Sequence, residues 1–376
     1  MKAVFTHIRR YDWFLMGAVF VLAGLGLLTL FSVSSASAAP FFARQLTWVA
    51  IGIALLVLAS FIDFRMFRTQ GVLIFFLYLF GVALLVILLL KNAAVRGVEG
   101  WLQVGGFTVQ PVEAVKLILI ILLAKFFSKR HIEIYRLRHL VVSGLYMALP
   151  AFLVIAQPDL GSAIVLVAIW FSIVLFSGMK LRHLALLFIL GAIVSGILWN
   201  FVLEPYQKSR ITSFLNPQAD PKGAGYQAIQ SIIAVGSGRM WGKGLGYGSQ
   251  SHLNFLPEAE TDFIFAAYAE EWGFVGVLVM LGLYFLVLWR IIVIGMRASD
   301  NFSRLYTLGF AALIFMQSFI HIGINMGLLP ITGITLPFVS YGGSSLVTLL
   351  AGIGIVQNIK MNARRAVDVH AWRGGE

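Results

Sequence analysis

Glu258, Glu260 and Asp262 put three carboxylates into five residues of a chain that is mostly apolar. Asp262 is the last charge before Phe263-Ile264-Phe265-Ala266 opens a hydrophobic run. A carboxylate there has two uses. Thr261 or Asp262 can cap the helix that follows, a task Asn would perform as well. Alternatively, Asp262 can accept a proton from a bound hydroxyl, which an amide cannot do. A helix N-terminus favours negative charge, so Asp262 is expected to be ionised at neutral pH. That suits a base or a cation ligand, not a general acid. Glu270 follows eight residues later, near the same helical face, and is expected to help line one polar cavity with Asp262.

Other stretches offer complementary chemistry. In Gln110-Pro111-Val112-Glu113-Ala114-Val115-Lys116, the proline suits a first helical turn, and Glu113 and Lys116 share a face and can pair. An ionisable pair inside a membrane helix is a functional candidate; the plainer reading is a structural ion pair at the interface. Asp159, in Gln157-Pro158-Asp159-Leu160-Gly161-Ser162, reads as an N-cap before it reads as a catalyst. The long polar segment 204–261 carries Arg210, a short amphipathic helix candidate at 229–234, and Gly236-Ser237-Gly238-Arg239-Met240-Trp241-Gly242-Lys243-Gly244-Leu245-Gly246. Glycine at that density means tight turns or close backbone approach to a ligand. Near the C-terminus, Ser340-Tyr341-Gly342-Gly343-Ser344 offers hydroxyls and amides that can bind an anion at a helix start, or can satisfy one another in a re-entrant turn. No metal cluster at ligand spacing, P-loop, dinucleotide fingerprint or nucleophile elbow is present, which argues against ATP-driven chemistry.

The elements that must position these groups follow from composition. Of 376 residues, 60% are hydrophobic and 12% charged, against about 25% charged in ordinary soluble domains. The expected fold class is all-α: a polytopic membrane protein of about ten transmembrane helices, forming one integral membrane domain over 1–376. The spans fall near 13–33, 45–62, 71–90, 110–127, 140–156, 160–178, 183–203, 262–289, 305–329 and 340–358, with a large loop at 203–261 and a short tail at 359–376. The net charge of +12 reflects Lys and Arg concentrated in alternate connections, which sets topology and does not suggest nucleic-acid binding. Both termini are expected in the cytoplasm, with 34–44, 91–109, 157–159, 204–261 and 330–339 facing outward. With no cysteine, disulfides and thiolate metal sites are excluded.

Taken together, these motifs resemble the SEDS family (shape, elongation, division, sporulation; the RodA/FtsW/SpoVE type) over nearly the whole chain. The residues that carry the resemblance are Gln157-Pro158-Asp159-Leu160-Gly161, Asp220-Pro221 with Gly223-Ala224-Gly225-Tyr226-Gln227, Gly242-Lys243-Gly244, Leu256-Pro257-Glu258 with Thr261-Asp262-Phe263, and Leu336-Pro337 with Ser340-Tyr341-Gly342-Gly343-Ser344. The short N-terminus and tail are most like the RodA (elongation) branch. The resemblance implies a peptidoglycan glycosyltransferase that polymerises lipid II on the outer face of the bacterial cytoplasmic (inner) membrane. Transfer would be inverting, with release of undecaprenyl pyrophosphate. It implies that Asp262 is the essential aspartate, with Glu113 and Lys116 beside it. Val112 stands where the family usually has Ser, so no role for that hydroxyl carries over. The leaving pyrophosphate needs cations, for which Lys116, Arg210, Arg239 or Lys243 are the alternatives, and the Ser340, Gly342, Gly343 and Ser344 loop would contact substrate. No cofactor is certain; a divalent cation, Mg2+ or Mn2+, on Asp262 is the alternative to direct base action. Implied partners are lipid II, the nascent glycan strand, a class B penicillin-binding protein with transpeptidase activity, other elongation-complex proteins and membrane lipids. The competing functions are a lipid II flippase and a membrane scaffold.

Overall fold

The computed structural model describes residues 7–36, 41–62, 66, 69–91, 100–104, 107–129, 137–179, 181–220, 223–253 and 255–373. Most of them, 79%, are helical, because an apolar segment in lipid must satisfy its backbone internally. The helices are α1 (Trp13–Ala36), α2 (Phe41–Phe61), α3 (Gly71–Lys91), α4 (Pro111–Ser128), α5 (Leu137–Ala156), α6 (Leu160–Phe176), α7 (Leu181–Ile197, continued by a π turn at Leu198–Val202), α8 (Pro205–Leu215), α9 (Ala224–Ser237), α10 (Ser249–His252), α11 (Ile264–Met296), α12 (Asn301–Asn325) and α13 (Gly343–Arg373).

Eight of these helices are long and apolar enough to cross a membrane. The other two expected spans are α4 and α6. The 18 residues of α4 carry Glu113, Lys116 and Lys125, and α6 is only 17 residues long. Both are nonetheless central: α4 buries 13 of its residues, charges included. By contrast, α7 has an 18-residue stretch that buries none of its side chains, as expected of a helix that is apolar all round and faces lipid.

Two expectations need amending. Ahead of α4 lies a small antiparallel hairpin, β1 (Leu102–Val104) with β2 (Phe107–Val109), pairing Gln103 with Thr108. The alternation on either side of Gly105-Gly106 is the signal that would have found it. The long segment after α7 is also more ordered than a loop with one short helix. It contains α8, a 3-10 turn at Pro217–Ala219, α9 and α10. The expected helix at 229–234 is the middle of α9.

Small residues allow the close packing of α13 on α2. A Cβ at Gly354 would overlap the Leu56 carbonyl, and one at Gly52 the Leu350 side chain. At one end of the bundle Asp12, buried, accepts from Arg290 of α11 and the Leu15 amide, and lies 3.7 Å from Lys360 Nζ of α13. Its own amide donates to Gln357 Oε1 at 2.8 Å. The motifs singled out in the sequence gather at the other end.

Candidate functional site

Two loops form the floor of that end: 258–263, entering α11, and 330–342, entering α13. A turn at Glu258 (φ +50) collects the amides of Thr261, Asp262 and Phe263 on the Glu258 carbonyl, at 3.1 to 3.3 Å. Ser340 Oγ donates to the Thr261 carbonyl at 2.9 Å and accepts from the Leu336 amide at 2.8 Å. The Tyr341 amide donates to the Glu260 carbonyl at 2.9 Å. Asp262 is half-buried on this floor. Its Oδ2 lies 3.9 Å from where a Cβ would stand on Gly333.

The second half of the site reaches the same loop. Asp159 is the N-cap of α6, its Oδ1 accepting from the Ser162 amide at 2.9 Å, as expected. Its Oδ2 accepts from Gln110 Nε2 at 3.1 Å, and the Gln110 amide donates to Ser344 Oγ at 2.8 Å. Next to Asp159, Lys116 Nζ pairs with Glu113 Oε1 at 2.8 Å, the two side chains only 1% and 7% exposed. Burial pushes the Asp159 carboxyl up, against the Ser162 amide and the Lys116 charge, which pull it down. Gly161, two residues on, packs so closely that a Cβ would stand 2.6 Å from the Thr332 carbonyl oxygen. Glu113–Lys116, Asp159, Gly161, Thr332-Gly333 and Asp262 therefore lie in one neighbourhood.

The structure corrects the cap reading. The N-cap position of α11 is Phe263, not Thr261 or Asp262, and its side chain makes no cap bond. The first-turn amide of Ala266 is instead bound by Asn325 Oδ1, from the end of α12, at 3.0 Å. The Thr261 hydroxyl turns back to Glu258, at 3.2 Å from Oε2.

Glu270 is also reassigned. It is fully buried and does not open into a cavity with Asp262. Its carboxylate holds the segment before α11: Lys243 Nζ at 2.7 Å, the Gln250 amide at 3.0 Å and the Ser249 hydroxyl at 3.2 Å. Lys243 thus serves Glu270. The glycine-rich run makes its close approach to a neighbouring backbone, that of α11, which is broken at Gly273 (φ +65, ψ −168). The opened ladder is completed from outside. Lys243 and Gly244 amides donate to the Glu270 and Glu271 carbonyls at 3.0 Å, and Phe274 and Val275 amides donate to Arg239 and Met240 at 2.8 and 3.1 Å. Arg239 is exposed here, and its carbonyl belongs to the splice.

Of the remaining candidates, Arg210 is half-buried and its Nη1 donates to the Ile331 carbonyl at 3.4 Å, which ties it to the loop facing Asp262. The Gly342 amide donates to Gln45 Oε1 at 3.4 Å, and Gly343 lies against the Trp48 ring. The hydroxyls of Ser340 and Ser344 and the Gly342 amide are thus engaged within the protein. Sequence reasoning passed over Gln45 and Asn325. An amide side chain in an otherwise apolar stretch of helix was the available signal for both.

Residues 11–365 match the sequence profile of the FtsW/RodA/SpoVE cell cycle proteins. The chain belongs to that family. It is 38% identical over 363 residues to stage V sporulation protein E of Bacillus subtilis, covering 94% of this chain and 98% of the relative. It is 38% identical over 316 residues to the peptidoglycan glycosyltransferase MrdB of Escherichia coli, covering 84% of each. Among solved structures it resembles a chain of a peptidoglycan synthase complex that coordinates polymerization and crosslinking, with TM-score 0.78, 34% identity, and 94% and 98% of the two chains covered. As an FtsW/RodA/SpoVE protein the chain is a polytopic membrane glycosyltransferase. Its two-loop floor is built from residues 258–263 and 330–342, inside the matched region.

Proposed function

We propose that the chain polymerises lipid II into glycan strands during cell elongation, and that Asp262 performs the acid–base step. One observation carries this reading: Asp262 is half-buried on the two-loop floor with its Oδ2 toward Gly333, while the first-turn amide of α11 is bound by Asn325 and not by Asp262. The acceptor lipid II presents a GlcNAc hydroxyl to Asp262, which takes its proton as that oxygen attacks the anomeric carbon of the donor MurNAc. The bond to undecaprenyl pyrophosphate breaks, with inversion. The leaving group already carries its charge and needs cations, not an acid. Arg210 suits this role through its tie to the 330–342 loop, and Lys116 through its charge beside Asp159.

The residues present suit a divalent cation held by one carboxylate and substrate phosphates, in the manner of Mg2+. They do not suit a protein cage: among the described residues no three His, Asp or Glu side chains gather as a metal-holding group. In this reading the membrane is the bacterial cytoplasmic one, with both termini inside and the site end outside, where lipid-linked sugars are assembled. The Lys and Arg distribution supports that orientation. Because the chain supplies no transpeptidase motif, crosslinking falls to a class B penicillin-binding protein; the likeness to a synthase complex supports such a partner.

A flippase would place its polar groups near the bilayer midplane; here the candidate groups, Asp262, Asp159 and the Glu113–Lys116 pair, gather toward one end of the bundle. The deciding assay is polymerisation of purified lipid II by the purified chain, alone and with its partner. Asp262→Asn is expected to cut the rate at least about hundred-fold while the protein stays folded. Full activity in that variant would sink the base assignment.

A further inference from the structure

Asn325, the last residue of α12, is fully buried, and its side-chain amide uses both ends. Nδ2 donates to the Asp262 carbonyl at 2.9 Å and to the His321 carbonyl at 2.8 Å. Oδ1 accepts from the Ala266 amide at 3.0 Å. A flipped amide would set an oxygen against two carbonyls and an NH2 group against an N–H, so this orientation is fixed by its partners. One planar group therefore grips the backbone on both sides of Phe263. The Asn325 carbonyl is itself held, accepting from Ser231 Oγ of α9 at 2.9 Å.

One turn earlier on the same helix, His321 Nδ1 meets the Ile334 carbonyl at 2.7 Å. A carbonyl can only accept, so that nitrogen carries the proton. The last two turns of α12 thus hold both loops of the floor: 258–263 through Asn325 and 330–342 through His321. The Asp262 carboxylate faces Gly333 between these two fixed points.

We propose that Asn325 is the positioning residue of Asp262. It fixes the peptide plane between Asp262 and Phe263, and with it the origin from which the carboxylate swings toward the acceptor. The proposal rests on the reading of Asp262 as the group that receives the hydroxyl proton.

Asn325→Asp is the informative change. It keeps the size of the side chain and an acceptor for the Ala266 amide, but its carboxylate has no N–H for the Asp262 carbonyl. In lipid II polymerisation by the purified full chain, kcat is expected to fall about ten- to hundred-fold, the order of loss that about 1 Å of misplacement causes. KM for lipid II should stay close to wild type, while the thermal midpoint falls because a buried oxygen now meets two carbonyls, so kcat is taken per folded protein. Asn325→Ala, which removes every bond, should lose at least as much kcat and also some stability. Wild-type kcat in Asn325→Asp would overturn the proposal. So would a loss that merely follows the folded fraction, or a rise in KM at constant kcat. If neither variant can be recovered folded, Asn325 serves global stability and the proposal also falls. Asp262→Asn, run alongside, separates the two readings. If it is inactive while Asn325→Asp is normal, only the positioning role fails; if it is fully active, the base reading fails and takes the proposal with it.

Discussion

Glu113 and Lys116 form a buried pair whose structural and chemical roles an experiment can separate. Two opposite charges 2.8 Å apart and nearly without water stabilise each other strongly, yet each paid-for desolvation is recovered only while the other is present. Glu113→Gln or Lys116→Met alone is therefore expected to cost about 3–5 kcal/mol, read as a lower thermal midpoint. The double change removes both charges and should recover most of that stability. If Lys116 also serves the leaving group, lipid II polymerisation stays lost in the folded double variant; recovery of activity would make the pair purely structural. The sequence made this pair legible because spacing of three on a helix is a local property. Asn325 was not legible in the same way. Its partner Asp262 is 63 residues away, and only the packing of α12 beside α11 brings the two together. Glu270 was misjudged for the same reason: helical spacing from Asp262 was readable, but the Gly273 break and the segment that folds over Glu270 were not.

At the scale of elements, α11 carries the sharpest constraint. Its backbone at Gly273 lies in a region open essentially to glycine alone, and a Cβ there would overlap the Gly242 amide nitrogen. Gly273→Ala is expected to cost about 2–4 kcal/mol. It should also free the 239–252 segment, seen as faster proteolysis there with α12 and α13 still protected. An unchanged midpoint would mean that the splice is dispensable. The spans themselves were readable, since about 20 apolar residues announce a membrane helix whatever surrounds them. Interruptions are harder to read. A glycine inside an apolar run has the same sequence signature whether it serves close packing, as Gly354 does, or a break, as Gly273 does.

For the whole molecule, the end opposite the site is tied through Asp12. Burial pushes its carboxyl up, but hydrogen bonds from Arg290 and the Leu15 amide, with the charges of Lys360 and Arg290, hold it below its ordinary value of 3.8. A carboxyl with a depressed folded value stabilises the protein above the unfolded value, and that contribution is lost as pH falls through the folded one. From this group, the thermal midpoint should be flat between about pH 8 and 5 and decline only below about 4. Asp12→Asn should lower the midpoint at neutral pH by the equivalent of about 2–3 kcal/mol and flatten the acid decline. Asp12 also joins the first membrane helix to the last, through Gln357. Because α2 finds its close-fitting neighbour in α13, a nascent chain inserts most of its helices before that seat is filled. The floor loop 330–342 is translated just ahead of α13. The second floor loop and the closing helix therefore arrive together, and a ribosome that stalls anywhere earlier leaves lipid-facing helices and a half-built floor.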